Sequence, residues 1–234
     1  MSTLYLIPTP LGTPDTPCLL PHELAQINHI TDFIVESEKT ARSHLKYFVS
    51  TPIRELNLKT LNKHTPAQEL HDLLQPLRDG RDVGVLSEAG CPAIADPGAD
   101  VVALAHAQGF EVKPLVGASS IVLALMASGA NGQSFAFKGY LPADKDGRTD
   151  SLKTLETRSR QVNETQIFIE TPYRNDALLA DALAVLHPDT RVCVACDLTL
   201  PTQLIVSKKI SEWRKLPELP NLKKRPTIFV LHAY

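Results

Sequence analysis

Apolar positions along the chain follow two rhythms. Short β-branched or leucine-rich runs at residues 4–7, 30–35, 83–86, 110–115, 135–142, 167–169, 191–196, 204–207 and 227–232 are bounded by glycine, proline or polar turn residues, and each predicts a strand. Between them, apolar residues recur three and four apart. Ala67, Leu70, Leu73, Leu74 and Leu77 do so until Gly80, and Val101, Val102, Leu104 and Ala105 until Gly109, which predicts helices. Further helices are expected at residues 21–27, 36–47 and 121–127, briefly around 152–156, in the stretch ending at 186, and around Trp213. Residues 53–61 alternate irregularly and read as a strand or loop. Strands alternating with helices over the whole length point to an α/β protein with two α/β domains, residues 1–115 and 116–234, the first sheet more parallel and the second mixed. Residues 204–207 and 227–232 are expected to pair as a closing antiparallel ribbon. Residues 143–149 read as a polar loop in which Lys145 and Arg148 can meet phosphates.

The stretch Val83-Gly84-Val85-Leu86-Ser87-Glu88-Ala89-Gly90-Cys91-Pro92-Ala93-Ile94-Ala95-Asp96-Pro97-Gly98 stands apart. A buried-type strand ends at Ser87, and the glycines and prolines that follow forbid regular structure until the next helix. At the carboxyl end of a strand in an α/β sheet, such a loop presents backbone groups and one carboxylate, Glu88, to a small molecule. A tight turn shaped by its glycines and prolines fits the pattern equally well. The proline-rich segment Pro8-Thr9-Pro10-Leu11-Gly12-Thr13-Pro14 follows the first strand in the same way. At Val116-Gly117-Ala118-Ser119-Ser120, small residues open a helix whose first N–H groups suit a carboxylate or ribose oxygen.

Composition narrows the function class. In 234 residues, 43% are hydrophobic and 21% charged, with a net charge of −2, so bulk charge does not attract nucleic acid and any RNA contact has to be local. The local candidates are Lys223-Lys224-Arg225 with Lys208, Lys209, Arg214 and Lys215, a phosphate rim or a solvated turn. No run of ~18 apolar residues occurs, and a cytoplasmic protein without membrane contact is expected. Cys193 and Cys196 have C-x-x-C spacing inside a buried-type strand with no second Cys or His pair nearby, so they read as core thiols and no metal site is expected. Asn62-Lys63-His64 is a polar turn in which His64 is expected at the surface or in a cap. Neither G-x-G-x-x-G nor a P-loop is present, which disfavours a nicotinamide or nucleoside-triphosphate enzyme.

Residues 87–98 resemble the S-D-A-G-x-P-x-I-x-D-P-G signature of the tetrapyrrole methylase superfamily, in the branch of the bacterial small-subunit ribosomal RNA cytidine 2′-O-methyltransferases. More landmarks follow in the family's order. Residues 4–13 resemble L-Y-x-x-x-T-P-I-G-N with Thr13 for Asn, and Val116 to Ser120 resembles P-G-P-S-A. Residues 135–142 resemble F-x-x-G-F-L-P, and Glu170-Thr171-Pro172-Tyr173-Arg174 resembles E-S-P-H-R with Tyr173 in the His place. The resemblance implies the tetrapyrrole methylase fold, S-adenosylmethionine in a cleft between two α/β domains, a homodimer, and ribosomal RNA or the 30S subunit as partner. It implies cofactor contacts at Leu11, Gly12, Glu88, Gly90, Cys91, Ser119, Ser120, Ile169, Ala195 and Thr227. It also implies acceptor-side roles for Glu36, Glu170 and Arg174, with Glu36 and Glu170 first among the carboxylates able to take a proton from a ribose hydroxyl. Two motifs depart from the family: Ser37-Glu38-Lys39 stands for Asp-Thr-Arg after Glu36, with Arg42 one turn later to supply the guanidinium, and Cys196, Asp197 and Leu200 stand for Arg, Glu and Lys of R-E-L-T-K. These leave open a tetrapyrrole-like or protein acceptor, or a non-catalytic S-adenosylmethionine binder.

Overall fold

A computed structural model describes residues 2–62 and 65–234; Lys63 and His64, where a polar turn is expected, lie outside the described residues. The chain divides into two compact units, residues 1–119 and 120–234, each with its own five-stranded sheet.

In the first unit the elements run β1 (Thr3–Leu6), α1 (Pro21–Ile27), β2 (Asp32–Val35), α2 (Glu38–Leu45), a short 3-10 turn (Ile53–Glu55), β3 (Asn57–Thr60), α3 (Ala67–Leu73), α4 (Gln75–Arg78), β4 (Val83–Leu86), α5 (Gly98–Ala107) and β5 (Glu111–Pro114). The sheet order is β3-β2-β4-β1-β5 and every pairing is parallel. β4 lies near its centre and is buried at all four positions, which is why it reads as a continuous apolar run. Two apolar clusters form the core, one around Ile7, Phe33 and Leu45, the other around Leu4, Leu74, Leu77 and Val101. The helix expected over 67–77 is split at Leu74, because Pro76 has no N–H to continue the hydrogen-bond ladder.

The second unit contains α6 (Ser120–Ser128), β6 (Phe135–Tyr140), α7 (Lys145–Val162), β7 (Thr165–Ile169), α8 (Asn175–Val185), β8 (Arg191–Cys196), β9 (Leu204–Lys209), α9 (Ile210–Trp213) and β10 (Thr227–His232). Its sheet has the order β6-β7-β10-β8-β9, with β6 parallel to β7 and the remaining pairs antiparallel. Phe168, Phe229, Leu152, Leu178 and Trp213 anchor the core, and the Trp213 indole donates to the Val192 carbonyl at 2.9 Å.

Two local expectations are corrected here. Residues 204–207 and 227–232 do not pair with each other: β8 lies between them, with Ala195 opposite Ile205 on one side and Ile228 on the other. The strand between two partners contributes both its edges, and no local pattern reveals that. Of residues 143–149, those from 145 on are not a loop. The Asp144 carboxylate accepts from the Gly147 N–H at 2.7 Å and caps α7, which begins at Lys145. Arg148 is therefore held inside, donating from Nε and Nη2 to Asp181 Oδ2 at 2.8 and 2.6 Å and from Nη1 to the Ala143 carbonyl. It is only 6% exposed and does not meet phosphates.

Candidate functional site

In the first unit, the loops leaving β1, β2, β4 and β5 gather at the carboxyl ends of the parallel strands. The loop after β1 is joined to the loop after β4 by a pair of backbone hydrogen bonds, Thr9 N–H to Gly90 O at 2.9 Å and Gly90 N–H to Thr9 O at 3.1 Å. Ser87 Oγ donates to the Gly90 carbonyl at 3.1 Å, and the Cys91 thiol donates to the Ala118 carbonyl in the loop after β5. The spaces left for side chains are small. A Cβ on Gly117 would lie 2.1 Å from Pro8 Cβ, and one on Gly90, at φ +83°, would lie 3.2 Å from Leu11 Cδ2 and 3.3 Å from the Ala118 carbonyl. The three loops therefore pack directly on one another at Gly90 and Gly117, and Leu11, Gly12, Gly90, Cys91 and Ser119 belong to these loops.

Two carboxylates stand beside this backbone. β2 and β4 are neighbours with Val35 opposite Leu86, so Glu36 and the Ser87-Glu88 pair follow side by side. Glu36 Oε1 accepts from the Glu88 N–H at 3.2 Å, and Thr40 Oγ1 reaches Glu88 Oε1 at 3.5 Å. Glu88 is exposed and Glu36 half-buried. Burial lifts the Glu36 carboxyl above its ordinary value and the charges of Asp96 and Glu88 lift it further, against the Glu88 N–H, which lowers it. Asp96 is also raised by burial while it accepts from the Ala93 and Gly98 amides; its hold on Ala93 fixes a loop in which Ala93 and Ala95 both sit at φ +65°. The acceptor-side guanidinium expected from Arg42 is engaged elsewhere, donating to Glu38 at 3.1 Å and to the Ile53 carbonyl at 3.2 Å.

In the second unit the predicted residues lie at one end of the three central strands of the sheet. Ile169, Ile228 and Ala195 are opposite one another on β7, β10 and β8, with Thr227 one position on, beside Cys196. Ala195 and Thr227 are buried, and the Thr227 hydroxyl donates to the Arg225 carbonyl at 3.1 Å. Just beyond β7, Arg174 Nη2 donates to Glu170 Oε1 at 2.6 Å. Burial alone would raise the Glu170 carboxyl, but the hydrogen bonds from Arg174 and the Thr171 N–H, with the Arg174 charge, outweigh it and hold it below its ordinary value. Glu170 Oε2, Arg174 Nε and Asn175 Oδ1 are buried without a hydrogen-bond partner. Ser120 begins α6.

The basic residues divide. Arg225 pairs with Asp197 at 2.8 Å, Lys209 with Asp189 at 3.2 Å, and Arg214 caps the end of α8 through the Leu183 and Leu186 carbonyls. None of these three belongs to a free phosphate rim; Lys223 and Lys224 remain exposed. Cys193 and Cys196 are buried free thiols, with burial pushing Cys193 up to about 11. Among the described residues no group of His, Cys, Asp and Glu is arranged to hold a metal ion, and no helix is long and apolar enough to cross a membrane.

The family model of the Tetrapyrrole (Corrin/Porphyrin) Methylases matches residues 3–213. The chain belongs to this family. It is similar to Ribosomal RNA small subunit methyltransferase I of Vibrio cholerae, with 32% identity over 99% of this chain and 77% of that protein. The protein of the same name from Escherichia coli O157:H7 is 30% identical over 99% of this chain and 78% of its own length. That from Bacillus subtilis is 32% identical over 91% and 69%. Among solved structures, the methyltransferase CobJ aligns with a TM-score of 0.63 at 19% identity, covering 99% of this chain and 94% of that one. Cobalt precorrin-4 methyltransferase CbiF aligns at 0.60 and 16%, covering 98% and 94%. These two share the tetrapyrrole methylase fold with the chain, as the sequence motifs predicted. As a member of this family, the chain is a methyltransferase.

The contact between Glu36 and Glu88, and the part Thr40 and Asp96 take in holding these loops, carry no signal in the local pattern, because they join residues on different strands or within an irregular loop.

Proposed function

We propose that the chain transfers a methyl group from S-adenosylmethionine to a ribose hydroxyl of small-subunit ribosomal RNA. The observation that carries the proposal is the Glu36–Glu88 contact at adjacent strand tips, beside loops packed closely on one another at Gly90 and Gly117. This donor set fits the cofactor: the Glu88 carboxylate complements a cationic sulfonium or ammonium, and loop backbone complements ribose, base and carboxylate. Leu11, Gly12, Glu88, Gly90, Cys91 and Ser119 in the first unit, and Ser120, Ile169, Ala195 and Thr227 in the second, are the residues assigned to it. The cofactor supplies a methyl group already activated by positive sulfur. The protein's work is then to orient the acceptor, keep water away and take up one proton, with orientation alone able to lower a barrier by ~7–11 kcal/mol.

The two acceptor-side carboxylates have different chemistry. Glu36 has its affinity for protons raised, so it is suited to accept the hydroxyl proton as the new O–C bond forms. Glu170 is committed to Arg174 and held ionised, which suits it to fix that guanidinium beside the acceptor. Ribosomal RNA as the acceptor is supported by the names of relatives that match nearly the whole chain. A homodimer belongs to the same proposal, supported by Val122 and Met126, apolar side chains one turn apart on α6 that are 47% and 75% exposed.

The deciding experiment incubates radiolabelled S-adenosylmethionine and the protein with 30S subunits from a strain lacking it. Label in the RNA is the expected result. Label only in protein or small molecules, or none, overturns the acceptor assignment. Sedimentation equilibrium of the purified chain checks the dimer.

A further inference from the structure

We infer that the edge of the second sheet carries a stacking platform for single-stranded RNA, made by Tyr140 and Tyr173 and flanked by Lys223 and Lys224. The inference rests on the proposed RNA-methylating function and names which side chains would take the strand.

The topology alone brings these four residues together. β6 and β7 are parallel, so Tyr140 at the end of β6 lies opposite Ile169 at the end of β7, and Tyr173 lies in the turn that follows. β10 is antiparallel to β7, with Ile228 opposite Ile169, so the segment entering β10 arrives at that same edge. The two turns are tied directly: the Lys224 N–H donates to the Pro172 carbonyl at 2.8 Å, and Asn175 Nδ2 donates to the Arg225 carbonyl at 2.8 Å. Lys224 is held at φ +62°, which fixes the path of this basic turn.

The chemistry displayed there is unusual for a solvated edge. Tyr140 is 63% and Tyr173 73% exposed, so both rings stand in water although aromatic side chains are normally among the more buried. Arg174 and Arg225 are neutralised by Glu170 and Asp197. Lys223 and Lys224 have no acidic partner within ion-pair distance among the described residues, so the unpaired charge in these two turns is positive on a chain whose net charge is −2. Exposed rings interleaved with unpaired lysines are the combination that binds unstacked bases and their phosphates, whereas a duplex hides its bases from the rings. The gap between Phe137 and Tyr140 in the β6–β7 register, at Gly139 with φ +67°, re-aims Tyr140 relative to the strand behind it.

The test measures binding of the full chain to a fluorescein-labelled single-stranded oligoribonucleotide of about 10 nucleotides, a length within the usual range of one such site. Tyr140→Ala and Tyr173→Ala should each weaken binding roughly 5- to 150-fold, while Tyr140→Phe and Tyr173→Phe stay within about threefold of the parent, because the ring and not the hydroxyl does the stacking. The double change Lys223→Gln, Lys224→Gln should flatten the dependence of log affinity on log salt by about 1.4, at about 0.7 per phosphate contact. A duplex of equal length should be indifferent to both alanine changes. Alanine variants that bind the single strand like the parent, or that lose duplex and heparin binding equally, overturn the inference. Calorimetry with S-adenosylmethionine on the same preparations separates this from the methyltransferase reading: an absent cofactor signal in the parent protein sinks that reading, while the oligonucleotide series still decides the platform.

Discussion

Thr9 and Gly90 hold each other through two backbone hydrogen bonds although they follow different strands and are far apart in the chain. The pair joins the loops after β1 and β4, and Gly117 leaves room for Pro8 beside it. A methyl group at position 117 has nowhere to go. Gly117→Ala should lower the stability of the protein by about 1–3 kcal/mol through overpacking, and Gly90→Ala by about 1–2 kcal/mol because its φ is positive. Both should weaken S-adenosylmethionine binding. Thermal melts with and without the cofactor measure each effect; a Gly117→Ala protein with parental melting temperature and affinity contradicts the packing described.

Glu36→Gln removes the proposed proton acceptor and keeps an oxygen for the Glu88 amide. The turnover rate should fall about 10²- to 10⁴-fold with cofactor affinity nearly unchanged. The parent rate should rise with pH through a carboxylate whose value lies above the ordinary range, and this acid limb should vanish in the variant. Rates measured from pH 4.5 to 8 show whether it does.

Glu170 acts in the opposite sense. Its folded-state value lies below its unfolded one, so its contribution to stability is present above the ordinary carboxylate range and is lost as pH falls through the lowered value. Glu170→Gln should cost about 1–3 kcal/mol near neutrality, less than a fully buried pair because the Arg174 side chain is 39% exposed. The difference from the parent should shrink on acidification. Urea titrations at pH 7 and pH 3.5 provide the comparison.

Arg148 and Asp181 form a pair almost wholly shielded from water. Arg148→Ala leaves a buried carboxylate alone and should cost about 3–5 kcal/mol, and Arg148→Met with Asp181→Leu should recover most of it. RNA affinity of the double variant should equal the parent's, since Arg148 has no outward face.

Buried thiols give a chemical check on the C-x-x-C spacing. With Cys193 pushed up to about 11, Cys193 and Cys196 should resist a thiol reagent at pH 8 in the native protein and react fully in denaturant. Tight zinc binding, or fast native labelling of Cys193, contradicts their place in the core.

The strand, loop and helix around Glu88 were legible because proline and glycine punctuate them locally, and β4 matches the run read from the sequence. The helix after it begins at Gly98 and not at Val101, its first residue held by the Gly98 N–H donating to Asp96 Oδ1 at 2.7 Å ahead of the apolar pattern. Periodicity could not find the first turn of α7, where Lys145, Asp146, Arg148 and Thr149 mask a helix whose only signal is Asp144. It could not reveal partners either. The Glu36–Glu88 contact depends on β2 lying beside β4, and the grouping of Tyr140 and Tyr173 with Lys223 and Lys224 depends on β6 and β10 flanking β7, both matters of topology.

β10 is the last strand of its unit in chain order, yet it occupies the middle of the sheet, with β7 on one side and β8 on the other. During synthesis β6–β7 and β8–β9 can each form before it emerges, but they share no edge until Thr227–His232 arrives to bridge them. The sheet of the second unit therefore cannot be completed until this last strand is made, and until then its two half-sheets present open edges.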